Sequence, residues 1–389
     1  MDDVGNFIDK LNLMYEKDEN FKYVISNFSE LISALEYLQK LIEMYAVKSI
    51  ILKNVQMLII LAYKAFLSGV NIEKIYKGHM LHTVFYGNPG VGKSHSAKCL
   101  ARIWKALGVL KKINKEEKKT KPYNILGYVN ASRKDFLELY ENYKKTSKLP
   151  FKTFETKWES VKNNLKLLGD EMTEHEEIII TPKEEDVIII CGREDFVAEY
   201  AGQTSIKTLN FIKKNLGKCI IIEEAYLLYN GDSDHYGMEA ITVLNRCMDE
   251  YADSLIIIFT GYEELLLNTI FKAQPGLRRR CQWIFNLQGY TSNGLSKIFI
   301  QQVKNLGWSI SEDLNTKEFF DTRLEHFLGY GGDTERLTLH CKMQCTGDVF
   351  SSLYDLIQDN KKLISEDLKL IITKDILEKG YNEYLKNKI

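Results

Sequence analysis

The sequence predicts an α/β protein: a core with a parallel sheet flanked by helices, preceded by N-terminal helices and followed by a C-terminal α-helical lid domain. Three observations predict it. The fragment Gly87-Asn-Pro-Gly-Val-Gly-Lys-Ser94 sits between a short apolar run and a helical stretch. Three further β-branched runs, Val187–Cys191, Cys219–Ile222 and Leu255–Phe259, alternate with helical segments, as in a parallel sheet covered on both faces. Helical patterning marks both ends of the chain.

Taken in order, Phe28, Leu31, Ile32, Leu35, Leu38 and Ile42 recur at steps of three or four and define one helix face. A second apolar helix is expected from about Ile50 to Phe66. His82–Tyr86 is short, β-branched and aromatic, which predicts a buried strand. Lys93–Leu107 follows as a helix, with Gly108 placed to cap its end. Residues 112–186 change character, being rich in Lys and Glu and broken by Pro122, Pro150 and Pro182, and predict a charged, mostly helical insertion. Helices are expected at Ile206–Asn215 and Glu239–Tyr251, and after Tyr290 the pattern is helical to the end. The implied division is a helical N-terminal region over 1–75, an α/β core over 76–290 carrying the 112–186 insertion, and a helical lid over 291–389.

Composition narrows the function classes. The chain has 389 residues, room for two or three domains, with 45% apolar and 27% charged residues. A formal net charge of −1 gives no global field toward nucleic acid or anionic lipid, so neither is expected as a partner. The start, Met-Asp-Asp-Val, lacks a secretory head, and the longest uninterrupted apolar run, Met57–Tyr63, is far short of the ~20 residues that span a bilayer. Seven scattered cysteines form no paired framework, which suits a reducing compartment. A soluble intracellular, cytoplasmic-type protein is the expectation.

Gly87–Ser94 matches G-x-x-x-x-G-K-[ST] in the context that gives that pattern meaning, a strand before it and a helix after. Gly87, Asn88, Pro89, Gly90, Val91 and Gly92 form a loop whose amides can curl around phosphate oxygens, and the helix start adds partial positive charge. Lys93 would reach the β- and γ-phosphates and Ser94 would ligate Mg²⁺. The cofactors expected are therefore ATP and Mg²⁺. Further along, Cys219-Ile-Ile-Ile-Glu-Glu224 is an apolar strand ending in two acids. Neighbouring strand residues point to opposite sides, so Glu223 could serve the metal while Glu224 polarises a water. A solvated strand end is the other reading of the pair. The first acid is Glu where such ATPases usually carry Asp, and its longer side chain could slow hydrolysis.

Five ordered motifs carry a family resemblance, most specifically over about 187–290 and also over 80–110: Gly192-Arg-Glu-Asp-Phe-Val-Ala-Glu-Tyr-Ala-Gly-Gln-Thr204, Glu224-Ala-Tyr226, Gly237-Met-Glu-Ala240, Thr260-Gly-Tyr262 and Gln274-Pro-Gly-Leu-Arg-Arg-Arg280. The chain resembles the AAA+ branch that includes the red-type Rubisco activase CbbX, the sporulation protein K group and the type VII secretion ATPase. The resemblance implies a P-loop AAA+ core with a small helical lid, assembly into homo-hexameric rings, and ATP held between neighbouring subunits. It implies that Tyr200 projects from a pore loop to grip a protein client, the alternative being a buried core tyrosine. It makes Arg280 the arginine finger toward the neighbour's γ-phosphate, Arg278 a second family arginine, Thr260 a polar residue that helps orient water, and Arg336 of Gly331-Gly-Asp-Thr-Glu-Arg336 the lid residue that contacts the γ-phosphate in cis. Glu43–Lys48 resembles the segment that flanks adenine.

The expected activity is hydrolysis of ATP, with Glu224, Lys93, Arg280 and Thr260 as its catalytic set, coupled to remodelling or threading of a protein client. Two alternatives remain at this level: a slowly hydrolysing nucleotide-gated scaffold or switch, because of Glu223, and a nucleic-acid motor on the same core. His340, Cys341 and Cys345 lie close on one helix, where a plain lid helix is the favoured reading over a metal site.

Overall fold

The computed structural model describes residues 3–70, 81–110, 188–200, 202–358 and 371–388. The charged segment 112–186 lies outside the described residues. Five strands form one parallel sheet: β1 (Thr83–Gly87), β2 (Ile188–Cys191), β3 (Cys219–Ile222), β4 (Ile256–Gly261) and β5 (Trp283–Leu287), in the order β2-β3-β4-β1-β5. β1 lies between β4 and β5, pairing Phe85 with Thr260 on one side and with Phe285 on the other. Parallel strands with both faces covered are apolar at every position, and β3 is buried throughout. Its residues alternate between two cores. Cys219 and Ile221 join one cluster with Phe85, Ile258 and Phe285; Ile220 and Ile222 join the other with Val84, Ile257 and Phe259.

Helix α1 (Asp3–Lys17), α2 (Phe28–Lys40), α3 (Tyr45–Leu67) and α4 (Lys93–Leu107) cover the first face. Trp104 and Leu31 are fully buried there. α2 is capped by Asn27, whose side-chain oxygen accepts from Glu30 N at 3.1 Å. Helices α5 (Thr204–Lys214) and α6 (His235–Glu250) cover the second face. α3 starts five residues earlier than its apolar run implied, and it is long and apolar enough to cross a membrane by length and composition. Lysines at 48, 53 and 64 interrupt the run, so the sequence shows no continuous apolar stretch. One side of α3, including Ile51, Val55, Leu58 and Ala62, is buried in the first core.

A third core lies toward the C-terminus. It joins α7 (Ser292–Asn305), α8 (Tyr330–Gln358) and α9 (Lys374–Lys386) through Phe299, Phe320, Phe327, Leu337, Tyr381 and Tyr384. Its rings pack edge to face and stacked, with Phe320–Phe327 at 4.9 Å and Phe327–Tyr384 at 5.3 Å between centroids. Each fully buried Phe stabilises by about 2–3 kcal/mol. This part is not purely helical: Ser309–Ile310 and Ile371–Ile372 pair as two short parallel strands.

Candidate functional site

The phosphate-loop fragment turns from the end of β1 into α4. Gly92 caps the helix at φ +89°. Gly90 holds φ +71°, and a Cβ there would lie 1.9 Å from Gly329 O, so the loop backbone packs directly on the turn before α8. Gly331 N also donates to Gly90 O at 3.1 Å. Val91 is buried in the first core, while Pro89, Gly90, Gly92, Lys93 and Ser94 line a cleft of about 640 Å³. Lys93 is 8% exposed and donates to Gly87 O at 2.9 Å and Asn88 O at 3.0 Å. Its ammonium also stands 4.8 Å from the centre of the Tyr262 ring. Burial pushes the Lys93 pKa down, and the charges of Glu224 and Glu223 pull it partly back.

The acid pair sits just past β3 rather than on it. Glu224 adopts a left-handed backbone at φ +46°, ψ +47° and starts a single 3-10 turn, Ala225–Leu228. Its direction is therefore set by a turn, not by strand alternation. A non-glycine residue in that region costs about 1–3 kcal/mol and persists where surrounding structure imposes it. Ser94 Oγ donates to Glu223 Oε1 at 2.5 Å, 129 residues apart in sequence. Glu224 lines the cleft, and its Oε2 is buried without a hydrogen-bond partner among the described residues. Tyr226 is pushed up to about 12 by burial and by Glu224 beside it. The hydroxyl of Ser94 and the carboxylate of Glu223 are hard oxygen donors at one point, a set that fits a Mg²⁺ ion.

The remaining cleft walls come from distant parts of the chain. Ile42 and Met44 approach from the N-terminal helices, Tyr290, Ile298 and Gln302 from the C-terminal ones. Tyr290 OH donates to Val91 O at 3.1 Å, and burial pushes its pKa up to about 12. Met44 Sδ accepts from Ser96 Oγ at 3.4 Å. Glu43 and Met44 both hold positive φ, at +55° and +53°. The Glu43 carboxylate accepts from Thr291 N at 3.1 Å and from Thr291 Oγ1, which ties this strained corner to the start of α7. The Glu43–Lys48 segment thus contributes Met44 to the cleft, beside Tyr37, whose hydroxyl meets His95 Nδ1 at 2.8 Å.

Four other sequence candidates stand outside the cleft lining. Thr260 is buried on β4, with Oγ1 3.4 Å from Ile222 O. Arg336 is exposed on α8 one residue beyond Glu335, which lines the cleft. Arg280 is bound to Asp249 and Asn245. Tyr200 is 68% exposed, so it is not a buried core residue. Within its loop, Ala198 N donates to Thr204 Oγ1 at 3.1 Å, and further ties lie at the base. Arg193 donates to both oxygens of Asp234, at 2.6 and 2.9 Å, and Ser205 N donates to Glu239 at 3.1 Å. The Arg193 guanidinium holds Asp234 at about 2. Sequence reasoning gave no role to Tyr262 or Tyr290; an aromatic within two or three residues of a strand end facing the phosphate loop is the signal that could have found them.

Among curated proteins, the chain is 30% identical over 204 residues to the chloroplastic ribulose bisphosphate carboxylase/oxygenase activase of Cyanidioschyzon merolae, covering 50% of this chain and 66% of that protein. It is 32% identical over 127 residues to the chloroplastic cbbX homolog of Guillardia theta, covering 32% and 34%. The chain belongs to the CbbX-like AAA+ family. A cfxQ-like protein of Acanthamoeba polyphaga mimivirus matches this AAA+ chain at 25% identity over 267 residues, 68% of this chain and 48% of that one. The chain thus spans between about a third and two thirds of the length of these CbbX-like relatives. No protein-family model matches it.

Proposed function

We propose that the protein binds ATP·Mg²⁺ in the 640 Å³ cleft and hydrolyses it, as a homo-hexameric ring that remodels or threads a protein client. One observation carries this reading: Lys93, Ser94, Glu223 and Glu224 converge from two strand ends on one spot, with Ser94 against Glu223 and, beside them, a Glu224 oxygen unpaired among the described residues. Loop amides and Lys93 would hold the phosphates. Ser94 and Glu223 would hold Mg²⁺, which when bound offsets negative charge on the phosphate oxygens. Glu224 would accept a hydrogen bond from the attacking water. That water's oxygen bonds to the γ-phosphorus as the β–γ bridging oxygen departs with ADP. Arg280 of an adjacent subunit would stabilise the charge that develops. The apolar walls Ile42, Met44 and Ile298 suit a purine face.

Client remodelling draws on the relatives named as Rubisco activases and on the exposed Tyr200. The N-terminal helices and the 112–186 segment would choose the client, in a soluble compartment. The test is steady-state hydrolysis. Glu224→Gln should retain ATP binding and lose at least about a hundredfold in kcat. A wild type no faster than Glu224→Gln contradicts a motor. Glu223 in the usual Asp position favours a second reading, a slow nucleotide-gated switch; Glu223→Asp gaining activity would support it.

A further inference from the structure

Arg280 ends the short helix Pro275–Arg280, and its guanidinium is already occupied. Nε donates to Asp249 Oδ1 at 2.7 Å, Nη2 donates to Asp249 Oδ2, and Nη1 donates to Asn245 Oδ1 at 2.6 Å and to Gly276 O at 3.0 Å. A guanidinium has five N–H donors, so one is left. The seat is built rather than accidental. Asn245 and Asp249 are one turn apart on α6 and face the same neighbour. A Cβ on Gly276 would lie 2.6 Å from Asn245 Oδ1 and 2.7 Å from Arg280 Nη1, so glycine leaves the room the side chain fills. The Arg280 side chain is only 16% exposed, whereas that of Asp249 is 47% exposed.

An arginine forked onto a carboxylate has no pair of parallel N–H groups left for a phosphate. It must first leave Asp249, and Asp249, being half-exposed, can release it at small cost. We infer that Asp249 is a positioning residue that parks Arg280 within its own subunit, in competition with the γ-phosphate of the adjacent one. The inference rests on the trans role for Arg280 proposed above. Asn245 and Gly276 serve as the pivot, since their bonds go to Nη1 alone and leave the Nε–Nη2 edge able to turn outward.

The test is the steady-state ATPase rate of the full chain against ATP concentration, for wild type, Asp249→Asn, Asp249→Glu, Arg280→Ala and the double variant Asp249→Asn/Arg280→Ala. Asp249→Asn should raise kcat about two- to fivefold with KM unchanged, the range of a half-exposed ion pair. Asp249→Glu, which keeps the carboxylate, should return the wild-type rate. The gain should vanish in the double variant, because it acts through Arg280. A thermal melt of each variant accompanies the rates, and Asn245→Ala, which loosens the pivot and should lower kcat, is the second probe. A fall in kcat for Asp249→Asn, or a gain that persists without Arg280, overturns the inference while leaving the nucleotide site standing. Loss of nothing in Arg280→Ala removes the trans role itself and the inference with it.

Discussion

Gly90 and Gly202 both hold left-handed backbone, at φ +71° and +77°; Gly90 lies in the loop after β1, and Gly202 in the loop after the short helix that follows β2. Their surroundings are opposite. A Cβ on Gly90 would meet the carbonyl of Gly329 at 1.9 Å, whereas one on Gly202 would meet nothing within 4 Å. Gly90 is required by close approach as well as by conformation; Gly202 is required by conformation alone. The phosphate loop is held by its own chain at many points: Lys93 on two loop carbonyls, Tyr290 on Val91, Gly331 on Gly90. The Tyr200 loop is pinned at its base by Arg193–Asp234 and Ser205–Glu239, with its tip exposed. In the proposed function, the first loop would be set before a phosphate arrives, and the second would leave an exposed tip free to meet a protein chain.

Three substitutions would break or sharpen that contrast. Gly90→Ala should have the largest effect. Overpacking and left-handed strain together predict about 3 kcal/mol of lost stability, read by urea denaturation, with ATP affinity falling as well. Asp234→Asn comes next. Arg193 depresses the Asp234 carboxyl from 3.8 to about 2, so its contribution is present above pH ~4 and is lost as pH falls toward 2. The shift corresponds to about 2 kcal/mol at neutral pH, and the gap between variant and wild type should close in denaturation series run toward pH 2. Gly202→Ala should cost about 1 kcal/mol, strain with no clash, and leave ATP affinity unchanged. If Gly202→Ala proved as damaging as Gly90→Ala, the contrast would fail.

Much of this was legible in the chain. The strands carrying Phe85, Ile221 and Ile258 announced themselves because burial on both faces demands unbroken apolar runs; β2, at the sheet edge, carries the same kind of run although Ile190 is exposed. Gly87–Ser94 was legible because its chemistry is local. β5 was not recognised, since Trp283-Ile-Phe-Asn-Leu287 is brief and carries a polar Asn286 within its apolar run. Met44 lies in Glu43–Lys48, which the resemblance placed beside adenine, whereas Tyr290 was given no role, and its contact with Val91 spans 199 positions. Arg280 was found by its motif, but its seat on Asp249 and Asn245 lies on a different helix and could be seen only in three dimensions. Thr260 and Arg336 came from position in a pattern, and the fold turns one into the sheet and leaves the other exposed outside the cleft lining.

The decisive measurement is amide hydrogen exchange of the wild-type chain with and without ATP and Mg²⁺. Amides of residues 87–94 and of the turn at 223–226 should slow on nucleotide addition, while those of 198–204 exchange as before. Bound ATP that left 87–94 exchanging at its original rate would place the triphosphate elsewhere and contradict the site.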